Sequence, residues 1–513
     1  MVSRPKTVES AASAELVFHM SLGASALTAL ATLLSFISYV VAARYFGVSA
    51  EMDAYLIAAA LPVSAMGIFI TAISIAVVPV LASFKNDTRA RSTACRTLLA
   101  LVIMLAVAAS LVGVVFARGI ISFIAPQLSP AKLRLAAEIH RVLWAATSLS
   151  IVANFLSGVR CFEKRFGLAA ALPMLPPLGM IVAAIMLAER VGIVVLAWGY
   201  LAGFLLQCAL LAPTVWPWRV TSLEQKVRSE TGRQFLSSVF LIGLSLLVFG
   251  LIPVSDAFWA SQLQEGSLSY LGYAFRIVVA LTGIAVHGHA LVLLPFLADD
   301  AAERQLPLLR ARLAGALRYG LALTVPLACL LTVLRGPILT LLFQRGRFDA
   351  AATQGVAAVL PWYLIGLVGT ACTYLLVRGF YSLSNLKAAA VGGVAALCFY
   401  WILSGLLSAL LAHRGIAIAY ALYWMVCLAG SVISLSRQLG PLWDKTQSGF
   451  LVRLLGISGL AAFATQLTRR LLPQFLGSLA QLLVAGSIGL LTVVIASRYL
   501  FGTRLKLNAL VTR

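Results

Sequence analysis

Arg276 stands in the stretch YLGYAFRIVVALTG, with a long apolar run following it. A guanidinium does not deprotonate, and its planar fork makes paired hydrogen bonds. Inside a bilayer it therefore suits a phosphate or pyrophosphate, the plainer alternative being that it snorkels to the nearer interface. Asp256, in IPVSDAFWAS, precedes it by one helix and is placed to pair with it. Arg345 and Arg347 flank Gly346 in TLLFQRGRFDAAAT, between two apolar stretches. There they can anchor head groups at the interface or receive an anionic group. Glu51 and Asp53, in SAEMDAY, share an acid-x-acid spacing with metal-dependent glycosyl transfer, but two acids also fit the first turn of a helix, where its dipole favours negative charge. His287 and His289, in AVHGHAL, are two residues apart, so on a helix they diverge instead of converging on one metal ion. Helix polarity or packing near Gly288 accounts for them, with proton coupling as the alternative.

Little else could do chemistry. The chain has no H-E-x-x-H, no P-loop and no cluster of histidines with carboxylates, so no catalytic residue, cofactor or metal is expected. Its seven cysteines have no C-x-x-C spacing and read as lone buried thiols. Without a nucleotide site, a driving force for any transport falls by elimination to an ion gradient or the membrane potential.

The elements that position these residues are membrane helices. The 513-residue chain is 61% hydrophobic and 11% charged, with a mean hydropathy of +0.98. Stretches long enough to cross a ~30 Å hydrocarbon core recur along its whole length. The windows 15–43, 52–83, 93–117, 136–159, 166–188, 192–216, 234–255, 267–297, 312–343, 354–379, 387–411, 415–436, 450–468 and 477–499 predict an all-α polytopic membrane protein of about fourteen spans. The basic N-terminus lacks a small-residue cleavage site and is read as retained. A net charge of +22, from 39 Lys plus Arg against 17 Asp plus Glu, would suggest nucleic acid in a soluble protein. Here no basic run stands beside interleaved aromatics, so no nucleic-acid partner is expected, and membrane lipids are. With an even number of spans, the segments on the side of the termini carry about twice as many Lys and Arg as the others. Both termini are therefore expected in the cytoplasm.

The chain also repeats itself. A shift of 216 sets Ala58 on Ala274, Gly67 on Gly283, Pro79 on Pro295 and Leu81 on Leu297; at 217, Arg118-Gly119 falls on Arg335-Gly336; at 218, Val159 to Phe162 falls on Val377 to Phe380. Six helices separate the copies, so both have the same orientation. Parallel six-helix repeats are a transporter design with substrate between the halves. The predicted organisation is an N-terminal lobe over 1–233, a C-terminal lobe over 234–437 and a helix pair over 438–513.

On the stretches ARYFGVSAEMDAYLIAAALP, VPVLASF, AFRIVVALTGIAVHGHALVLLPFL, GPILTLLFQRGRFDAAAT and RGFYSL, the chain resembles the lipid II flippase (MurJ/MviN) family of the multidrug/oligosaccharidyl-lipid/polysaccharide exporters. The resemblance runs over nearly all of it. It implies fourteen helices and a cationic cavity, and a flippase that carries an undecaprenyl-pyrophosphate-linked saccharide across the inner membrane by alternating access. Envelope-synthesis enzymes remain an open class of partner, and a monomer is expected. Arg276 matches the arginine the family carries on helix eight. Thr32 and Ser38 stand where the family places arginines on helix one, and Met66, Gly67 and Thr71 where helix two carries arginine and glutamate. Lipid II and another lipid-linked glycan, such as an exopolysaccharide repeat, both stay open as cargo. An exporter of small amphipathic molecules and a membrane-embedded glycan-processing enzyme are the other readings; a basic cavity disfavours the first, and the scarcity of acids the second.

Overall fold

A computed structural model describes residues 6–82, 88–163, 165–215, 232–233, 235–240, 242–243, 250–383, 386–472 and 477–501. Among them there is no strand, and thirteen helices are long and apolar enough to cross a membrane. In lipid only a helix satisfies its own backbone polar groups within one segment, so long apolar runs become long helices. Of the expected seventh span, 234–255, residues 234, 241 and 244–249 lie outside the described residues.

The chain forms two units. The first comprises Met1–Ala42, Ile57–Ile124 and Leu128–Gly250; the second comprises Ala43–Leu56, Ala125–Gln127 and Leu251–Arg513. To the first belong most of α1 (Lys6–Phe46) and α2 (Ala50–Ala82), then α3 (Thr88–Val115), the short α4 (Ala117–Ile124), α5 (Pro130–Phe162), α6 (Phe166–Ala171), α7 (Leu175–Val191) and α8 (Val194–Val215). Its main core joins the last turns of α2 and α5 and residues 94–106 of α3 with Leu211, Phe235 and Val239. Buried His140 pins α5 to α2: Trp144 Nε1 donates to His140 Nε2 at 2.8 Å, which leaves the ring hydrogen on Nδ1 to donate to Ala58 O at 2.8 Å. α7 and α8 approach backbone to backbone, because a Cβ on Gly179 would strike Gly199 O and one on Gly203 would strike Pro176. Small residues at such a seam let dispersion contacts hold helices that lipid alone would not drive together.

The second unit contains α9 (Ile252–Ala260), α10 (Ser267–Ala285), α11 (His287–Ala302), α12 (Leu306–Leu342), α13 (Ala350–Ser382), α14 (Leu386–Leu411), α15 (His413–Leu439), α16 (Lys445–Leu471) and α17 (Ser478–Phe501). α13 is its centre, packed by α10, α12 and α15. Asp349 caps it, accepting from Ala352 N at 2.7 Å, as Asp444 caps α16 through Gln447 N at 2.8 Å.

The expected span 267–297 proves to be two helices, broken at Val286, whose φ is −121°. Thr282 Oγ1 bonds back to Val278 O at 2.8 Å one turn earlier, a contact that bends helices. Of the two histidines there, His289 stacks on Tyr319 at 4.1 Å; the side chain of His287 lies outside the description.

α16 runs parallel to α12 and is tied to it at both ends. Arg318 Nε donates to Gln447 Oε1 at 3.1 Å, and Gln447 Nε2 to Ala314 O at 3.3 Å. At the far end Arg469 Nη1 donates to Val333 O. Pro337 lies four residues beyond Val333 inside α12 and has no N–H to offer that carbonyl. The guanidinium supplies the missing donor.

Candidate functional site

The site is built on α10, beginning with its N-terminus. The first N–H groups of a helix have no intrahelical acceptor, and here they are met by an acid from far upstream. Asp53 Oδ2 accepts from Gly266 N at 2.6 Å, while Oδ1 accepts from Ser269 N at 2.8 Å and from Ser269 Oγ at 2.6 Å. Gly266, with φ of +87°, turns the chain into the helix in a conformation open to glycine. Asp53 and Ser269 are 216 residues apart, so they are equivalent positions of the repeat, and they bind each other. The next such pair also meets: a Cβ on Gly272 would lie 2.7 Å from Leu56.

Asp53 is thus the residue that reasoning from sequence placed least well. It lies in the first turn of α2, as expected, but its oxygens serve another helix. The one available signal was the repeat register, which sets Asp53 on Ser269.

Four and seven residues beyond Ser269, on the same helix face, come Tyr273 and Arg276. The Tyr273 hydroxyl donates to Gly47 O at 2.7 Å, and its ring packs against Phe343 and Phe348, at 5.4 and 5.2 Å. Arg276 is half-buried, roughly 10 Å further along the helix than Ser269 at 1.5 Å per residue. It carries a permanent positive charge well inside the span Ser267–Ile284.

Arg345 and Arg347 lie in the turn between α12 and α13. Arg347 N donates to Arg44 O at 2.9 Å. Two glycines permit the approach: a Cβ on Gly346 would strike Arg44 O and one on Gly47 would strike Arg347 O, and both have positive φ, +60° and +57°. The exposed Arg347 guanidinium stands 3.8 Å from Glu51, and that of Arg345 donates to Leu341 O at 2.7 Å, capping the end of α12. The motif that interrupts two apolar helices is therefore a turn locked onto the α1–α2 connection.

Asp256 lies on α9. It is 7% exposed and accepts the Tyr400 hydroxyl, so the partner it has is a phenol on α14. An aromatic group of Phe258, Trp259 and Trp401 packs at the same two helices, with ring separations of 5.0 to 6.2 Å.

The first unit's family positions offer hydroxyls already spent on their own helices. Thr32 Oγ1 donates to Thr28 O at 3.0 Å, Ser38 Oγ to Ser35 O at 2.7 Å and Thr71 Oγ1 to Gly67 O at 2.9 Å. Met66 Sδ takes the Tyr200 hydroxyl at 3.8 Å. None of these side chains brings charge to the site.

The profile of the family described as lipid II flippase MurJ matches residues 42–485. Among curated relatives, the lipid II flippase MurJ of Burkholderia cenocepacia is 27% identical over 438 residues, 81% of this chain and 83% of that one. The probable lipid II flippase MurJ of Bdellovibrio bacteriovorus is 27% identical over 57% of each chain. Among solved structures, a lipid II flippase MurJ in an inward closed conformation superposes with a TM-score of 0.79 at 20% identity, over 93% of this chain and 98% of the other. An inward-facing multidrug resistance MATE transporter gives 0.65 at 16% identity, over 81% and 98%. The structural matches carry the fold, and the profile, spanning most of the chain, carries the family: this protein belongs to the lipid II flippase MurJ family.

Proposed function

We propose that this protein is a flippase that moves an undecaprenyl-pyrophosphate-linked saccharide, with lipid II as its cargo, from the inner to the outer leaflet of the cytoplasmic membrane by alternating access. Arg276 carries the reading: a half-buried guanidinium within a membrane span, of the chemistry that pairs with pyrophosphate oxygens. The relatives' names supply the cargo. Both termini face the cytoplasm, as the distribution of Lys and Arg requires. The protein leaves the covalent structure of the cargo unchanged.

The other sequence candidates take supporting parts. Arg345 and Arg347 hold the outer turn and present their exposed flanks to head groups there, while Asp256 and Tyr400 fix α9 against α14. Mass spectrometry of lipid retained by gently purified protein tests the cargo. A polyprenyl-pyrophosphate saccharide in the wild-type sample, and its depletion in Arg276→Ala, is the expected result; amphipathic cations in its place would instead make the protein an exporter of small molecules.

A further inference from the structure

In the first unit a cavity of about 630 Å³ lies between α3 and the described residues of 232–240, and one of about 380 Å³ adjoins it along α3. They share Thr97 and Leu101. α3 contributes Thr93, Arg96, Thr97 and Met104; the facing segment contributes Arg233, Leu236, Ser237 and Phe240. The spacing puts each set on one helical face. Gly232 brings the elements together, since a Cβ there would lie 3.2 Å from Leu101. Phe235 and Val239 turn the opposite way, into the core.

A buried hydroxyl belongs to this groove. Thr93 is 4% exposed, lines the smaller cavity, and its hydroxyl has no hydrogen-bond partner among the described residues. A buried hydroxyl left unpaired costs about 1–3 kcal/mol. Arg96 and Thr97 line the same cavity, and Arg233 and Ser237 line the adjoining one; together they make a donor set for an anionic oxygen group.

Beyond them the surface is apolar. Met104, Val107, Leu111 and Val115 are 58% to 62% exposed and continue the face of α3 that begins at Thr93. From Met104 to Val115 helical rise covers roughly 16 Å, about half of a ~30 Å hydrocarbon core. A charged, hydroxyl-bearing end followed by one leaflet's depth of apolar surface matches a lipid lying along the helix. We infer that this groove binds an acidic glycerophospholipid, its phosphate held by Arg96, Arg233 and the Thr93 hydroxyl and an acyl chain along Met104, Val107 and Leu111. Arg96 and Arg233 fall on the side that charge balance assigns to the cytoplasm, where acidic lipid attracts juxtamembrane cations. This site is separate from Arg276 and does not depend on which cargo Arg276 holds.

Lipid titration of the purified full-length protein in detergent, read as affinity and as thermal stabilisation, tests the assignment. Phosphatidylglycerol is expected to bind more tightly than phosphatidylcholine. Arg96→Gln and Arg233→Gln should each weaken it about fivefold, and together roughly 30-fold, the weight of a juxtamembrane cation at an acidic surface. Thr93→Val, close in shape, should weaken phosphatidylglycerol binding without lowering the lipid-free melting temperature, and it carries the test if the double variant does not fold. Arg118→Gln with Arg134→Gln, on other segments, should bind as the wild type does. Unchanged phosphatidylglycerol affinity in both the double variant and Thr93→Val would overturn the proposal. So would equal stabilisation by millimolar inorganic phosphate alone, which would mark a site for a soluble anion.

Discussion

At the scale of single residues, charge and geometry can be separated at Arg276. Arg276→Ala removes a charge-assisted contact from a desolvated setting, a loss on the order of 1.5 to 3 kcal/mol, or roughly 10- to 150-fold in affinity for a pyrophosphate lipid. Arg276→Lys keeps the charge but not the bidentate fork, so binding should recover in part. Lipid affinity of the purified variants checks both, and alanine and wild type binding alike would mean that the guanidinium merely snorkels. Asp53 makes a different expectation. Asp53→Ala strips three hydrogen bonds from the start of α10 and should cost roughly 0.5–2 kcal/mol of stability, as lost helix caps do, whereas Asp53→Asn, which keeps an acceptor, should cost less. Melting temperatures in detergent decide this; equal losses for both would deny the cap. Arg276 was legible in sequence because a cation in an apolar run is conspicuous, and Gly346 because Arg-Gly-Arg must turn. Asp53 was not, since its three donors come from residues 213 to 216 positions away and local pattern favours the dipole of its own helix.

At the scale of elements, Arg469 and Pro337 form a pair that sequence could not join. The donation of Arg469 to Val333 O appears only once α16 lies along α12. Arg469→Ala should destabilise the protein by about 1 kcal/mol, the cost of leaving a partly buried acceptor without its donor. In a Pro337→Ala background the restored N–H takes that carbonyl, so the same substitution should cost distinctly less. Additive losses in the double-mutant cycle would sink the explanation. Helix existence, by contrast, was legible from hydropathy almost throughout. The break at Val286 was not, because no proline marks it and the interruption His287-Gly288-His289 is short enough to sit within one continuous helix. Orientation is tested separately. In a cysteine-free background, Arg345→Cys should react with an impermeant thiol reagent from outside and Lys445→Cys only from the cytoplasm; labelling of position 445 from outside would overturn the topology.

For the whole molecule, the repeat read from sequence has a physical counterpart in Asp53 with Ser269 and Leu56 with Gly272, equivalent positions that touch within one unit. The flippase reading joins that architecture to Arg276 and to the family. Its most direct test is leaflet-resolved transport of lipid II in vesicles containing the purified full-length protein. Wild-type protein is expected to speed passage between leaflets well beyond protein-free vesicles, and Arg276→Ala to lose most of that gain, at least tenfold for the affinity term alone. Passage no faster with wild-type protein than in protein-free vesicles would contradict the account.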